Sequence, residues 1–284
     1  MTPPVALTIS GTDPTGCRGI EADLKTFAAH QMHGTCVITA AGGPAEMYAL
    51  PQTAVGGQLS VALSHVGPAA VKVGMLGNAE IAATIATRAR AGDLPNLVLD
   101  PILESMVGYR RGVIAAVLRL IPYAAVITPN VEEASELVGW PIASTADMAG
   151  AAAQLAAKGA KHVVITGGKL GGDESVDAVW TPGGVRFLHG PRIDSPNALG
   201  AGCAFSAAIT AQLALGTSPT DAVPAAKDYI SRALAGSTAW AIGYHGGPVD
   251  YFGFTPPPVR PQAAAHYAGC LGPSLVDLER LSLK

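Results

Sequence analysis

Val5-Ala6-Leu7-Thr8-Ile9-Ser10-Gly11-Thr12-Asp13-Pro14-Thr15-Gly16-Cys17-Arg18-Gly19 starts as a short apolar run, breaks on glycine, passes through a polar loop and enters a helix-spaced segment at 20–31. Strand length followed by helical periodicity is the unit from which parallel sheets are built. It repeats along the chain. Further apolar runs of strand length fall at 35–40, 70–75, 97–100, 125–128 and 162–166, and helical spacing occupies 53–65, 79–91, 112–120, 131–138, 145–158, 202–215 and 219–241. This alternation predicts an α/β fold of three layers, a central and mostly parallel sheet flanked by helices on both faces. The rhythm changes once, where 177–181 and 185–189 flank Pro182-Gly183-Gly184 and read as an antiparallel hairpin at one edge of the sheet.

The 284 residues suit one large domain, and no stretch within 1–254 has the composition of a flexible linker. Beyond it, Thr255-Pro256-Pro257-Pro258 and Pro261 predict a stiff connector within 255–284, with a short helix at 275–283. A net charge of -3 with 14% charged residues, and no block of Lys or Arg, offers no grip to a nucleic-acid backbone or an anionic membrane, so the expected partner is a small molecule. The positive mean hydropathy comes from dispersed Ala and Val; the richest stretch, 201–216, carries Ser206, Thr210 and Gln212 and reads as a buried core helix rather than a span. With no signal core at the N-terminus, the expected address is the cytoplasm. Cys17, Cys36, Cys203 and Cys270 are too scattered for paired zinc ligation or a disulfide framework and are expected as free thiols.

Gly200-Ala201-Gly202-Cys203 directly precedes the apolar helix. Two glycines let successive amides point at one spot, and a helix N-terminus adds partial positive charge there, which suits an anion such as a transferring phosphoryl group. Cys203 in the first turn would have its thiol pKa lowered by that field and would then take the proton of an acceptor hydroxyl. The plain reading is a helix cap followed by a small buried residue. Asn130 and Glu133 follow a strand end and share a helix face, so they would hold water-bound magnesium or form a capping box, and the pattern fits both. Asp100, at another strand end, offers a further carboxylate on the same sheet edge, or marks a turn. The loop at 11–19 matches neither a Walker A loop nor a dinucleotide fingerprint. It is a candidate wall of the acceptor site, with Asp23 on the helix behind it, or an ordinary strand-to-helix turn.

Taken in order, Leu7-Thr8-Ile9-Ser10-Gly11-Thr12-Asp13-Pro14, Ile20-Glu21-Ala22-Asp23-Leu24-Lys25-Thr26-Phe27, Val37-Ile38-Thr39-Ala40, Val73-Gly74-Met75-Leu76, Val98-Leu99-Asp100-Pro101, Ile127-Thr128-Pro129-Asn130, Gly200-Ala201-Gly202-Cys203 and Ala226-Lys227 resemble the hydroxymethylpyrimidine and phosphomethylpyrimidine kinases of thiamine synthesis, within the ribokinase superfamily. The resemblance implies a ribokinase-like fold, ATP and Mg²⁺ as cofactors, and a homodimer. It casts Cys203 as the acceptor base, with Gly200, Ala201 and Gly202 at the transferring phosphoryl. It assigns Gly11, Asp13, Asp23, Pro44 and Met75 to the acceptor. Asp100, Asn130, Glu133, Thr166, Gly167, Gly168 and Lys227 fall to the nucleotide, with Asn130 and Glu133 reaching the metal through water.

The departures from the family cluster on the acceptor side. Pro44 and Ala45 stand where the family has a Gln-Asn pair whose glutamine reads the pyrimidine, and the loss of such a buried partner costs about 1 to 3 kcal/mol. Cys17 and Arg18 replace small residues, Leu199 replaces a histidine, and Thr166 replaces a lysine whose charge Lys169 could supply. The expected activity is phosphorylation of the hydroxymethyl group of a small heteroaromatic alcohol, hydroxymethylpyrimidine or its phosphate. The alternatives are a pyridoxine- or pyridoxal-type kinase, a kinase of specialised metabolism with a new acceptor, and a silent ligand-binding protein on the kinase fold.

Overall fold

The structure is a computed structural model and describes residues 2–43, 47–103, 110–243 and 246–254, the side chains of residues 110 and 111 excepted. Pro44, Cys270, the connector at 255–284 and the helix expected at 275–283 lie outside the described residues. Strands β1 (Val5–Ser10), β2 (His33–Ile38), β5 (Ala70–Val73), β6 (Val98–Leu99), β7 (Val126–Ile127) and β8 (Val163–Ile165) run parallel, and β9 (Glu174–Thr181) and β10 (Gly184–Pro191) add an antiparallel edge. The sheet order is β10-β9-β8-β7-β6-β5-β1-β2. A separate ribbon, β3 (Ala40–Gly42) with β4 (Met47–Ala49), was not foreseen. The run expected at 35–40 splits at Thr39, whose amide bonds Ser10 O at 2.9 Å and whose hydroxyl bonds Met75 O at 2.6 Å, turning the chain out of the sheet.

Period-two alternation sorts the strand side chains onto two faces. Leu7, Ile9, Val71, Val73, Leu99, Ile127, Val163 and Ile165 point into one core. That core is closed by α2 (Gln52–Val61), α3 (Ala79–Ala91), α4 (Arg110–Leu120), α5 (Val131–Val138) and α6 (Thr145–Ala157). Ala70, Val98, Val126 and Val164 point the other way, under α1 (Gly19–Ala29), α7 (Ala201–Ala214) and α8 (Pro219–Ser237). The smaller strand residues on this side let α7 lie close to the sheet. That helix is apolar nearly all round and almost wholly buried, the expected state for such a helix inside a protein core, and no helix among the described residues is long and apolar enough to cross a membrane.

Helix ends follow local chemistry. Asn78 caps α3 by accepting the Ile81 amide at 2.9 Å, and Gly92 closes it in the left-handed region. The segment expected as helix at 53–65 leaves α geometry after Val61 for a π turn at Ala62–Val66, and the one expected at 219–241 ends at Ser237. The described elements belong to one compact unit, Met1–Gly253.

Candidate active site

Because the central strands are parallel, their C-terminal ends share one edge, where α/β sheets bind ligands. A cavity of about 410 Å³ lies there. Asn130, Thr166, Gly168 and Lys227 line it, as do Ala201 and Gly202 at the start of α7. Phe205, Ile230 and Leu234 contribute an apolar wall. The sequence had assigned the first four of these residues to nucleotide, and the fold brings them together with the helix N-terminus assigned to the transferring phosphoryl.

On the other side of that N-terminus lies the loop after β1. Gly200, the residue before α7, has φ 79°, and a Cβ there would strike the carbonyl oxygen of Cys17. Only glycine permits both the left-handed backbone and this contact. The loop is folded by Asp13, whose carboxylate accepts the Thr15 hydroxyl at 2.7 Å, the Thr15 amide at 3.0 Å and the Arg18 amide at 3.0 Å. Partial burial pushes the Asp13 carboxyl up, but these bonds outweigh it and hold the group below its ordinary value. Tyr251 OH donates to Cys17 O at 2.9 Å, and Lys25 Nζ donates to Gly16 O at 2.7 Å while lying over the Tyr251 ring. Gly11 packs against the Met75 sulfur, so these two acceptor candidates are neighbours.

Cys203 is buried, and its thiol departs from expectation. Burial, opposed by Lys72 and reinforced by Asp100 and Asp23, pushes it up to about 12, so the thiol is neutral at neutral pH. The helix-terminus field predicted the opposite, but desolvation of the thiolate is the larger effect here. Beneath it lies a charged cluster. Lys72, fully buried, donates to Asp23 at 2.5 Å and stands 3.4 Å from Asp100. Thr8 donates to Asp23 at 2.5 Å and Ser206 donates to Asp100 at 2.9 Å. Burial alone would push Lys72 down, but Asp23 and the other negative charges around it hold its proton well above the ordinary range. Two expectations are thereby corrected. Asp23 does not wall an acceptor site, because its carboxylate is inaccessible and saturated by Lys72 and Thr8. Asp100 does not face the nucleotide cavity, because its side chain turns toward Lys72 and Ser206.

At the start of α5 the capping box is realised. Asn130 Oδ1 accepts the Glu132 and Glu133 amides at 2.9 and 3.0 Å, and Glu133 Oε2 accepts the Asn130 amide at 2.9 Å. Asn130 lines the cavity while Glu133 is buried in the cap behind it, so these two hard oxygen-bearing side chains suit only a magnesium that keeps most of its water rather than a fully protein-ligated metal. Among the described residues no three His, Cys, Asp or Glu side chains converge as a metal cage. Lys227 lines the cavity, but its ammonium is engaged by Asp177 at 2.8 Å and by Ser175 O and Oγ at 3.0 and 3.1 Å. Asp177 also accepts the Gly167 amide at 3.0 Å, tying Lys227 to the glycine loop. Lys169 pairs with Glu132 at 2.5 Å on the exposed rim.

Sequence reasoning missed Lys72, Asp177 and Arg192. Lys72 had a signal, a single charge inside the apolar run Ala70–Val73; a charge so placed must find a partner. Asp177 was read only as a hairpin end, and nothing local marked Arg192.

Fold and site together define a ribokinase-like α/β phosphotransferase. The model of the phosphomethylpyrimidine kinase family matches residues 13–250, and the chain belongs to that family. It is 40% identical to the hydroxymethylpyrimidine/phosphomethylpyrimidine kinase of Synechococcus elongatus, over 89% of this chain and 98% of that one. It is 36% identical to the pyridoxine kinase of Bacillus subtilis, over 87% and 95%. Among solved structures, an ADP complex of Bacillus subtilis pyridoxal kinase superimposes with a TM-score of 0.83 at 34% identity, covering 88% of this chain and 98% of that one. Staphylococcus aureus pyridoxal kinase with AMP-PCP and pyridoxal gives 0.82 at 35% identity, covering 89% and 95%.

Replacing Lys72 with Met is expected to destabilise the protein by about 3 to 5 kcal/mol in urea unfolding, since it strands two buried carboxylates. The Lys72→Met/Asp23→Asn double variant should lose less than the sum of the two single changes, and additive losses would show that the pair is not coupled. Gly200→Ala should cost roughly 1 to 3 kcal/mol for the strained backbone, and an unchanged thermal midpoint would contradict the close approach to Cys17.

Proposed function

We propose that the chain transfers the γ-phosphoryl of MgATP to the hydroxymethyl group of a small heteroaromatic alcohol, with hydroxymethylpyrimidine or its phosphate as the acceptor. The observation that carries this reading is the place of the Gly200–Cys203 turn. It lies between a cavity lined by Asn130, Thr166, Gly168 and Lys227 and the loop of Gly11 and Asp13. Nucleotide in the cavity and alcohol against Gly11 and Met75 would meet across the α7 N-terminus, whose amides stabilise charge on the transferring group without reorganisation. Magnesium would neutralise phosphate charge there, with Asn130 and Glu133 holding its waters. The same reading places the enzyme in the cytoplasm as a homodimer.

In this mechanism the acceptor O–H bond breaks as the thiolate form of Cys203 takes the proton, the acceptor oxygen bonds to the γ-phosphorus, and the bond from that phosphorus to the bridging oxygen breaks, so that ADP would leave with the electron pair. The thiol at about 12 leaves only about one part in 10⁴ ionised at pH 8. Since thiolate is the active form and its pKa lies above the assay range, turnover should rise about tenfold per pH unit from pH 7 to 9. A flat profile would mean that the proton leaves by another route. Cys203→Ala should keep ATP affinity while turnover falls by roughly 10² to 10⁴. Unchanged turnover would remove Cys203 from the chemistry.

A second reading, phosphorylation of a vitamin B6 vitamer, is favoured by the pyridoxine kinase relative and by the pyridoxal kinase structures. ATP consumption with hydroxymethylpyrimidine, its monophosphate, pyridoxine, pyridoxal and pyridoxamine separates the two readings. Turnover of a B6 vitamer alone would overturn the first, and ATP binding without turnover of any acceptor would point to a new acceptor or a silent site.

A further inference from the structure

Among the described residues, three cationic side chains line the cavity, Lys169, Lys227 and Arg192. Two are neutralised by carboxylates, Lys169 by Glu132 at 2.5 Å and Lys227 by Asp177 at 2.8 Å. Arg192, just after β10, is different: among the described residues its guanidinium has no carboxylate partner and bonds only backbone carbonyls. Nε donates to Gly172 O at 2.6 Å, Nη1 to Gly168 O at 2.9 Å, and Nη2 to Leu170 O and to Glu174 O, the latter at 3.0 Å. One planar fork thus gathers the whole glycine-rich turn between β8 and β9, a geometry that Lys cannot reproduce. Carbonyl dipoles orient the guanidinium but leave its full positive charge in place. A guanidinium carries five N–H donors, and these bonds use four of them.

We infer that Arg192 is a nucleotide-binding residue, which shapes the Gly167–Glu174 turn into the cavity wall and offers its uncompensated charge and remaining N–H to a phosphate of the bound nucleotide. The inference rests on the proposed ATP-dependent reading and supplies its phosphate half with a cation. This is the half in which Thr166 brings no charge and Lys169 and Lys227 are already paired. A purely architectural role would make the turn matter equally to every ligand of the cavity. A role toward phosphate makes it matter in proportion to ligand charge.

The test is equilibrium binding of MgATP and of adenosine to the full chain and to Arg192→Met and Arg192→Lys, with circular dichroism as a check on folding. Loss of a charge-assisted bond predicts MgATP affinity falling about tenfold or more in Arg192→Met, with adenosine affinity changing less than about threefold. Arg192→Lys, which keeps the charge but not the fork, should fall between wild type and Met for MgATP, and it carries the test alone if the Met variant does not fold. Equal losses for ATP and adenosine, or no loss for ATP, would overturn the inference, as would failure of the wild-type chain to bind ATP. Wild-type ATP binding that depends on Arg192, without turnover of any acceptor in the panel, would leave this inference standing and sink the proposed acceptor chemistry.

Discussion

The buried ion cluster of Lys72 with Asp23 and Asp100 is the constraint on which the arrangement of the site depends. Sheet alternation puts Thr8 and Lys72 side by side on the α7 face, as direct partners across β1 and β5. Asp23 comes down to them from α1, Asp100 joins from the end of β6, and Ser206 reaches Asp100 from α7. Burying these charges is expensive, and the cost is contained only because each meets an opposite charge or a hydroxyl at close range. The geometry is therefore unforgiving. A shift of α7 along the sheet would break the Ser206 bond, and a shift of α1 would strand Asp23. The cluster thus sets the height of the α7 N-terminus over the strand ends, where phosphoryl transfer is proposed to occur.

Around that fixed point the two halves of the site are built by different physics. The loop after β1 is held by its own polar groups, with Asp13 folding it and Tyr251 and Lys25 fastening it from outside. Its contact with Gly200 is backbone against backbone, which makes the junction stiff. The cavity side is held by long cationic side chains acting on backbone carbonyls and a carboxylate, with Arg192 and the Lys227–Asp177 pair both fastening the Gly167–Glu174 turn.

Much of this was legible before any coordinates. Strand-to-helix alternation named the parallel strands and their order along the chain, the change of rhythm after 166 marked the antiparallel edge, and Gly200 was read correctly as a backbone position rather than a side-chain one. The Asn130 and Glu133 pair was legible as a choice between capping and metal, and the cap is realised. What failed did so for a common reason. Asp23 was read from its place on the helix behind the first loop and Asp100 from a strand end, while the direction of a carboxylate depends on the nearest buried cation, and Lys72 lies 49 residues from Asp23 in sequence. The thiol of Cys203 was read from the local helix field, while its ionisation follows the burial around it.

By itself the sequence determined the α/β class, the sheet edge on which the site lies, and the backbone geometry at Gly200, because periodicity and glycine conformation act over a few neighbouring residues. It also determined the family, since ordered motifs along 5–254 cannot recur together by chance spacing. Only the tertiary structure decided which charges meet. That Lys72 neutralises Asp23, that Asp177 takes Lys227, and that Arg192 meets only backbone carbonyls among the described residues are consequences of long-range packing. Electrostatic energy depends on distance and burial in space, and neither is encoded by separation along the chain.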